Sequence, residues 1–176
     1  FEEIRPELEA HYGRPLDQVF AEFETEAFAA ASIAQVHRAK LLDGTAVVVK
    51  LRRPGIVAKV EADLRILNHV ARLMEMELPE SRRYRPIQIV GQLRRSLRGE
   101  LDLIREARNI DVFARHFKND PTVHIPRVFW EYSGEIVNVQ EELRGIPGTE
   151  LDAARAQGMD LSLLAARGAD VVLKMI

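Results

Sequence analysis

The stretch Ala46–Lys50, which reads AVVVK, ends in a lysine whose charge is well placed for chemistry. The valines predict a strand, in which Val47 and Val49 point to one face and Val48 and Lys50 to the other. A lysine at this position in a strand can hold the phosphates of a nucleotide. The alternative interpretation is an ordinary surface lysine at a strand end, and the strand alone favours that alternative.

A loop of small residues precedes this strand and is a candidate phosphate cradle. It contains Ala29, Ala30, Ala31 and Ser32, where phosphate-binding loops usually carry glycine. Alanine resists positive φ, so an alanine cradle should be stiffer than a glycine cradle and should change which nucleotide geometry is held. A small-residue helical turn packed against a neighbour is the alternative interpretation.

Acidic residues follow in residues 87–117, a segment that predicts one long helix. At about 100° per residue, Asp102, Glu106 and Asn109 share one narrow face of that helix. Glu106 is then the candidate partner of Lys50, because a carboxylate would hold the ammonium in a phosphate-facing pose. The pairing predicts that Lys50 Nζ lies within about 4 Å of a Glu106 carboxylate oxygen.

Glu100 does not share this face, because it lies about 200° from Asp102 in an undistorted helix. If Glu100 and Asp102 serve one site, the helix must start, bend or unwind near Gly99. The alternative is a solvated charged helix with ion pairs to Arg98 and Arg105.

The elements that would position these residues follow from periodicity and turn signals. A helix over residues 1–13 ends at Gly13, and a second helix begins at Pro15, which suits a first helical turn. Asp43–Gly44 predicts a hairpin between two strands. The remaining predicted elements are a helix over 56–78, the long helix over 87–117, two short strands around Ser133–Gly134 and a helix over 160–176.

Composition restricts the class of protein. The 176 residues are 47% hydrophobic and 30% charged, which is typical of a globular domain, and the net charge of -2 gives no overall basic field for nucleic acid. Because the chain has no cysteine, disulfides and cysteine-ligated metals are excluded. The five histidines show no metal-type spacing, so the sequence predicts no metal ligands.

The ends of the sequence suggest part of a longer protein. The chain starts at Phe1 without a signal-peptide pattern and ends within an amphipathic run, DVVLKMI. No apolar run approaches the roughly 18 residues that suggest a membrane span. We therefore expect a fragment.

Two segments together closely resemble the UbiB/ADCK family of atypical, protein-kinase-like proteins. They read FAAASIAQVHRAKLLDGTAVVVKLRRPGI and ELDLIREARNIDVF, and the likeness covers nearly the whole chain. The resemblance implies that the alanine-rich loop replaces a glycine-rich loop, which disfavours ordinary protein phosphorylation while still binding adenine nucleotide. It also implies that Lys50 is the nucleotide-phosphate lysine and Glu106 its ion-pair partner.

The resemblance assigns further site residues. Glu100 and Asp102 match the family's Glu-x-Asp motif near the active site, so they join the implied catalytic set. The segment VQEELRG is similar to the hinge between two lobes, which implies adenine recognition by backbone groups of Glu141, Glu142 and Leu143. The implied cofactor is ATP with Mg, and the Mg ligands are expected outside this chain.

The implied fold class is α+β: a kinase-like N-lobe with an antiparallel sheet and long helices, then the beginning of a helical C-lobe. The expected divisions are a helical extension over 1–24, the N-lobe and hinge over 25–145, and the start of the C-lobe over 146–176. The family's KxGQ helix would precede Phe1, and its catalytic and metal-binding loops would follow Ile176. The fragment alone is therefore expected to be inactive.

The implied function is that of an ATP-binding atypical kinase or ATPase that supports ubiquinone or isoprenoid-lipid metabolism. A pseudokinase-like binding or scaffold module without phosphoryl transfer is the alternative. A third interpretation, an unrelated α+β domain with no nucleotide site, predicts that Lys50 and Glu106 lie far apart.

The expected partners are an adenine nucleotide and either anionic lipid or isoprenoid-lipid biosynthesis proteins, with no nucleic acid. The expected location is cytoplasmic, with peripheral attachment to the inner membrane as a further expectation. A basic cluster is either solvated surface or a contact for anionic lipid headgroups. Its members are Arg82, Arg83, Arg85, Arg94, Arg95 and Arg98.

Overall fold

The computed structural model describes residues 1–175, so Ile176, the last residue of the predicted C-lobe segment, lies outside the described residues. The helices are α1 (Arg5–Tyr12), α2 (Ile56–Glu77), α3 (Pro86–Leu101), α4 (Leu103–His116), α5 (Leu151–Ala156) and α6 (Leu161–Lys174). The strands are β1 (Phe20–Phe23), β2 (Ala29–Ala30), β3 (Ala34–Leu41), β4 (Ala46–Arg52) and β5 (Val137–Glu141). Short 3₁₀ turns occupy Leu16–Gln18, Pro79–Tyr84 and Trp130–Tyr132.

The strands form one five-stranded antiparallel sheet in the order β1-β3-β4-β5, with β2 also paired to β3. The predicted hairpin joins β3 to β4 at Asp43–Gly44. There, the Thr45 N–H donates to Asp43 Oδ1 at 2.9 Å, and Gly44 adopts a φ of 84° that suits glycine. The predicted fold class, a mixed α/β protein with an antiparallel sheet, is confirmed.

The hydrophobic core lies on one face of this sheet. Val47, Val49 and Leu51 of β4 point into it and are almost fully buried. Helix α1 covers this face with Leu8, which is completely buried. The predicted extension over residues 1–24 therefore shares its core with the sheet, while the lobe boundaries themselves stay a prediction.

The prediction of a second helix from Pro15 was wrong. Only Leu16–Gln18 form a 3₁₀ turn, and Phe20–Phe23 form strand β1, which pairs with the edge of β3. The reason is tertiary: as a strand, this segment buries Phe20 in the core and satisfies its backbone on the sheet edge.

The prediction of one helix over 87–117 was also wrong. Residues Pro86–Leu101 and Leu103–His116 form separate helices, α3 and α4, and Asp102 between them is extended, with φ -96° and ψ 98°. Its side chain caps the second helix by accepting backbone hydrogen bonds, so the break replaces intrahelical bonds with capping bonds.

The prediction of two strands around Ser133–Gly134 holds only on one side. The segment after Gly134 forms β5, but the segment before it contributes a single bridge, Val128 with Gln140, and then a 3₁₀ turn. The Ser133 hydroxyl donates to the Phe129 carbonyl at 2.9 Å and accepts from the Val139 N–H at 2.9 Å, so a side chain replaces part of the ladder.

We expect Leu8→Ala to lower the free energy of unfolding by about 2–5 kcal/mol, because it leaves a cavity between α1 and the sheet. Chemical denaturation measures this effect, with Glu7→Ala on the exposed side of α1 as the control. Equal stabilities of the two variants would show that α1 does not belong to the core.

Candidate nucleotide site

The sheet face opposite the core carries the predicted ion pair. Lys50 Nζ on β4 lies 2.6 Å from Glu106 Oε2 on α4, across 56 residues of sequence. This distance confirms the predicted pairing and contradicts the interpretation that placed the two residues far apart. The side chains are 24% and 36% exposed, so the pair lies at the border of solvent, where the ammonium can reach a ligand.

Asp102 is placed differently from the sequence prediction. It does not share a helix face with Glu106, because α4 begins after it. Its Oδ1 instead accepts the Ile104 N–H at 3.0 Å and the Arg105 N–H at 3.3 Å. These bonds satisfy free N–H groups of the first turn of α4. They also fix the residue at which α4 begins, and therefore the direction in which Glu106 points.

Arg52 holds this helix break against the sheet, and the sequence did not indicate it. Its Nη1 donates to the Leu101 carbonyl at 3.1 Å and to Glu135 Oε1 at 3.2 Å. The Glu135 carbonyl accepts the Leu103 N–H at 3.3 Å, which adds a second tie to the same break. Because Arg52 lies two residues beyond Lys50 on β4, one strand positions both members of the ion pair.

Glu100 and Glu106 line one polar cleft at the break. Its volume is about 370 Å³, and the lining residues are Arg95, Ser96, Gly99, Glu100, Arg105, Glu106 and Asn109. The Arg105 guanidinium lies so close to the Gly99 backbone that a Cβ at residue 99 would collide with it. The cleft therefore brings Glu106 and Asn109 together, as the sequence predicted, and adds Glu100, whereas Asp102 is absent from its lining.

The four residues of the small-residue loop are all exposed. Ala29 and Ala30 form β2 against Val36 and Gln35, and the Ala31 N–H donates to the Ala34 carbonyl at 2.8 Å. Among residues 1–175, Arg85 is the one non-glycine residue with positive φ, so the loop avoids the conformations that alanine disfavours. It is a tight turn of ordinary backbone geometry.

Arg53 ties this turn to the end of β4. Its Nε donates to the Ala31 carbonyl at 3.0 Å, and its backbone N–H donates to the Ile33 carbonyl at 2.9 Å. These two bonds restrain the turn at a fixed place relative to Lys50, three residues earlier. No local sequence pattern indicated this role, because Arg53 and Ala31 are 22 residues apart.

An apolar patch lies beside Lys50 on the same face of the sheet. The β-ladder places Val36 opposite Lys50, and Val48 is two residues before it. The Phe28 N–H donates to the Val36 carbonyl at 3.1 Å, and the Phe28 residue is 45% exposed. Half-buried valines and an exposed ring provide an apolar surface that suits a planar base.

The predicted hinge begins at the end of β5. The Glu141 N–H donates to the Arg127 carbonyl at 2.9 Å and the Glu142 N–H to the Ala46 carbonyl at 3.4 Å, whereas the Leu143 N–H has no protein acceptor among residues 1–175. The Arg127 N–H, which donates to the Glu141 carboxylate at 3.1 Å, lowers the pKa of Glu141.

Glu142 anchors the same segment to the sheet. Its carboxylate accepts from Arg38 Nε at 3.1 Å and from Arg144 Nη2 at 3.3 Å. The side chain is only 12% exposed, so both bonds restrain the backbone near Leu143. The side chain of Glu142 is therefore engaged with the protein, and the backbone is what remains for a ligand.

Within residues 1–175, no group of three or more His, Asp or Glu side chains is arranged to hold a metal ion. None of the helices described has the length and apolar character required to cross a membrane.

Comparison with known proteins identifies the family. The sequence profile of the ABC1 atypical kinase-like domain matches residues 1–176. The chain belongs to the ABC1 atypical kinase-like family. The UbiB resemblance is confirmed by relatives named "Probable protein kinase UbiB", and the match to the family extends over the extension, the sheet and the terminal helices alike.

Three of these relatives show how much of the sequence is shared. The UbiB protein of Cellvibrio japonicus is 41% identical over 169 residues, covering 96% of this chain and 31% of its own length. That of Pseudomonas aeruginosa is 38% identical over 169 residues, covering 96% and 32%. That of Edwardsiella ictaluri is 40% identical over 173 residues, covering 98% and 32%. The chain thus spans about a third of the length of these curated relatives.

One solved structure has a fold similar to that of this chain. It is Rv3197 from Mycobacterium tuberculosis in complex with erythromycin, which superposes with a TM-score of 0.71 at 28% sequence identity. The superposition covers 85% of this chain and 37% of that chain.

We expect Arg52→Ala to lower the free energy of unfolding by about 1–3 kcal/mol, because it leaves the part-buried Leu101 carbonyl at the helix break without its donor. Hydrogen exchange should also speed up in the first turn of α4. Arg155→Ala, which removes an exposed ion pair with Asp152, is the control and should have almost no effect. Equal effects of the two substitutions would contradict the role of Arg52.

Proposed function

We propose that this chain is the nucleotide-binding lobe of a UbiB-type atypical kinase or ATPase. The observation that carries the proposal is the 2.6 Å contact between Lys50 Nζ and Glu106 Oε2 beside the alanine turn. In this arrangement the carboxylate orients the ammonium, and the ammonium keeps two further N–H donors for phosphate oxygens. Phosphoryl transfer needs such positioned charge more than it needs covalent catalysis.

The residues of the Lys50 face fit an adenine nucleotide. Lys50 would hold phosphate oxygens under the turn formed by Ala29, Ala30, Ala31 and Ser32. The apolar patch of Phe28, Val36 and Val48 would contact the base, with the backbone at Leu143 offering a donor to its edge. The nucleotide supplies the transferable phosphoryl group, and these residues bind and orient it.

The described residues fit an adenine nucleotide but do not form a suitable Mg site. No suitable group of carboxylates occurs in residues 1–175, and Asp102 is already engaged as a helix cap. Glu100 and Glu106 share the polar cleft but also face Arg105 there. We therefore assign no Mg ligand to residues 1–175, and we propose that other parts of the natural protein supply the ligands.

We further propose a role in ubiquinone or isoprenoid-lipid metabolism at an anionic membrane surface. The names of the UbiB relatives support the first part. Exposed arginines in the turn between α2 and α3, Arg82 and Arg83, support the second, together with Arg85 at the start of α3. Exposed apolar side chains lie beside them, Leu78 and Tyr84, as expected at a lipid interface.

In the full natural protein, Lys50→Ala should abolish the rise in melting temperature caused by Mg-ATP. Ligand at about 100 times its Kd stabilises a binding protein by about 2.7 kcal/mol, and the variant loses the main phosphate contact. The control is Lys40→Ala, which removes a β3 lysine that pairs with Glu22 at 2.7 Å. An undiminished shift in Lys50→Ala would count against the nucleotide site.

Ala30→Gly should change the ratio of ATP to ADP affinity about two- to fivefold, or raise self-phosphorylation, because glycine restores backbone freedom in the turn. Calorimetry and incorporation of labelled phosphate measure the two effects. Ala27→Gly, just before β2, is the matched control. If Ala30→Gly behaves like the unaltered protein in both assays, the alanines do not tune the nucleotide.

A further inference from the structure

Asn138 is buried on β5 with its hydrogen-bonding groups unused. Its exposure is 0%, and both Oδ1 and Nδ2 lack a partner. Among residues 1–175 it is the one side chain with two buried polar atoms in this condition. An unsatisfied buried amide costs stability, so the presence of Asn138 at this position needs a functional explanation.

The register of the sheet places Asn138 directly against the proposed phosphate lysine. Asn138 on β5 is the cross-strand partner of Lys50 on β4, so both side chains stand on the same face. Helix α4 packs on β5 from that side with Leu103 and Ala107, which are almost fully buried. The Asn138 carboxamide therefore lies on the Lys50 face of the sheet, on the side that α4 covers.

A carboxamide suits this place because it both donates and accepts. Where the Lys50 ammonium turns towards phosphate oxygens, its 2.6 Å contact with Glu106 weakens. The Glu106 carboxylate would then lose its cationic partner while it stays half-buried, which is unfavourable without another donor.

We propose that Asn138 is a positioning residue of the Lys50–Glu106 pair: its Nδ2 N–H donates to the Glu106 carboxylate when the Lys50 ammonium turns towards phosphate. The inference rests on the proposed nucleotide site and names a residue that acts within it. Asn138 touches no ligand. It lowers the cost of redirecting the ammonium and keeps α4 in place while that happens.

The test measures Mg-ATP binding and melting temperature in the full natural protein and its Asn138→Leu variant. Leucine fills a similar volume without polar atoms. We expect the melting temperature without nucleotide to stay the same or rise, and the Kd for Mg-ATP to increase about tenfold, as for loss of a charge-assisted hydrogen bond. A merely structural residue would lower stability and leave the Kd unchanged.

The coupling to Glu106 is tested in a Glu106→Gln background. There the acceptor has lost its charge, so Asn138→Leu should raise the Kd less than twofold. The control is Val139→Ala on the opposite face of β5, which should lower the melting temperature without changing the Kd. If Asn138→Leu does not fold, Asn138→Met takes its place with the same expectations.

The outcomes separate the two proposals. If the unaltered protein does not bind Mg-ATP, the nucleotide site and the role of Asn138 fail together. If it binds, but Asn138→Leu has an unchanged Kd, or the same increase in both backgrounds, the nucleotide site stands and the role of Asn138 is overturned.

Discussion

The ion pair between Lys50 and Glu106 is the contact on which the rest of the site depends. It joins a strand to a helix across 56 residues of sequence, and it forms only if α4 starts at the correct residue. The Asp102 cap and the Arg52 bonds to Leu101 and Glu135 fix that start. A shift of α4 by one residue would rotate Glu106 by about 100° and remove it from Lys50.

The side chains of strand β4 alternate between the hydrophobic core and the candidate nucleotide site. One set, Val47, Val49 and Leu51, builds the core with α1, and the other set carries Lys50 and Arg52. The same division continues on β5, where Asn138 stands opposite Lys50. Because residues of the two sets alternate along a rigid sheet, substitutions in the core set should alter stability, whereas substitutions in the other set should alter the site.

Local patterns predicted the elements whose cause is local. Asp43–Gly44 indicated the hairpin because a turn depends on its own residues, and the 56–78 pattern indicated α2 because its periodicity is long. Predictions failed where a contact with a residue distant in sequence decides the secondary structure. The segment after Pro15 has a helical pattern but pairs with β3, and the apolar stripe of residues 87–117 continues across a break that a side-chain cap and Arg52 stabilise.

The sequence by itself indicated the family, the fold class and the pairing of Lys50 with Glu106 through its resemblance to the UbiB/ADCK family, whereas residue spacing alone left that pairing as one of two alternatives. Only the tertiary structure decided that Asp102 is a helix cap, that Arg53 ties down the alanine turn and that Asn138 is buried beside Lys50. Each of these facts depends on hydrogen bonds or strand register between elements that are not adjacent in sequence. Such contacts are set by the packing of the whole lobe, which no local pattern records.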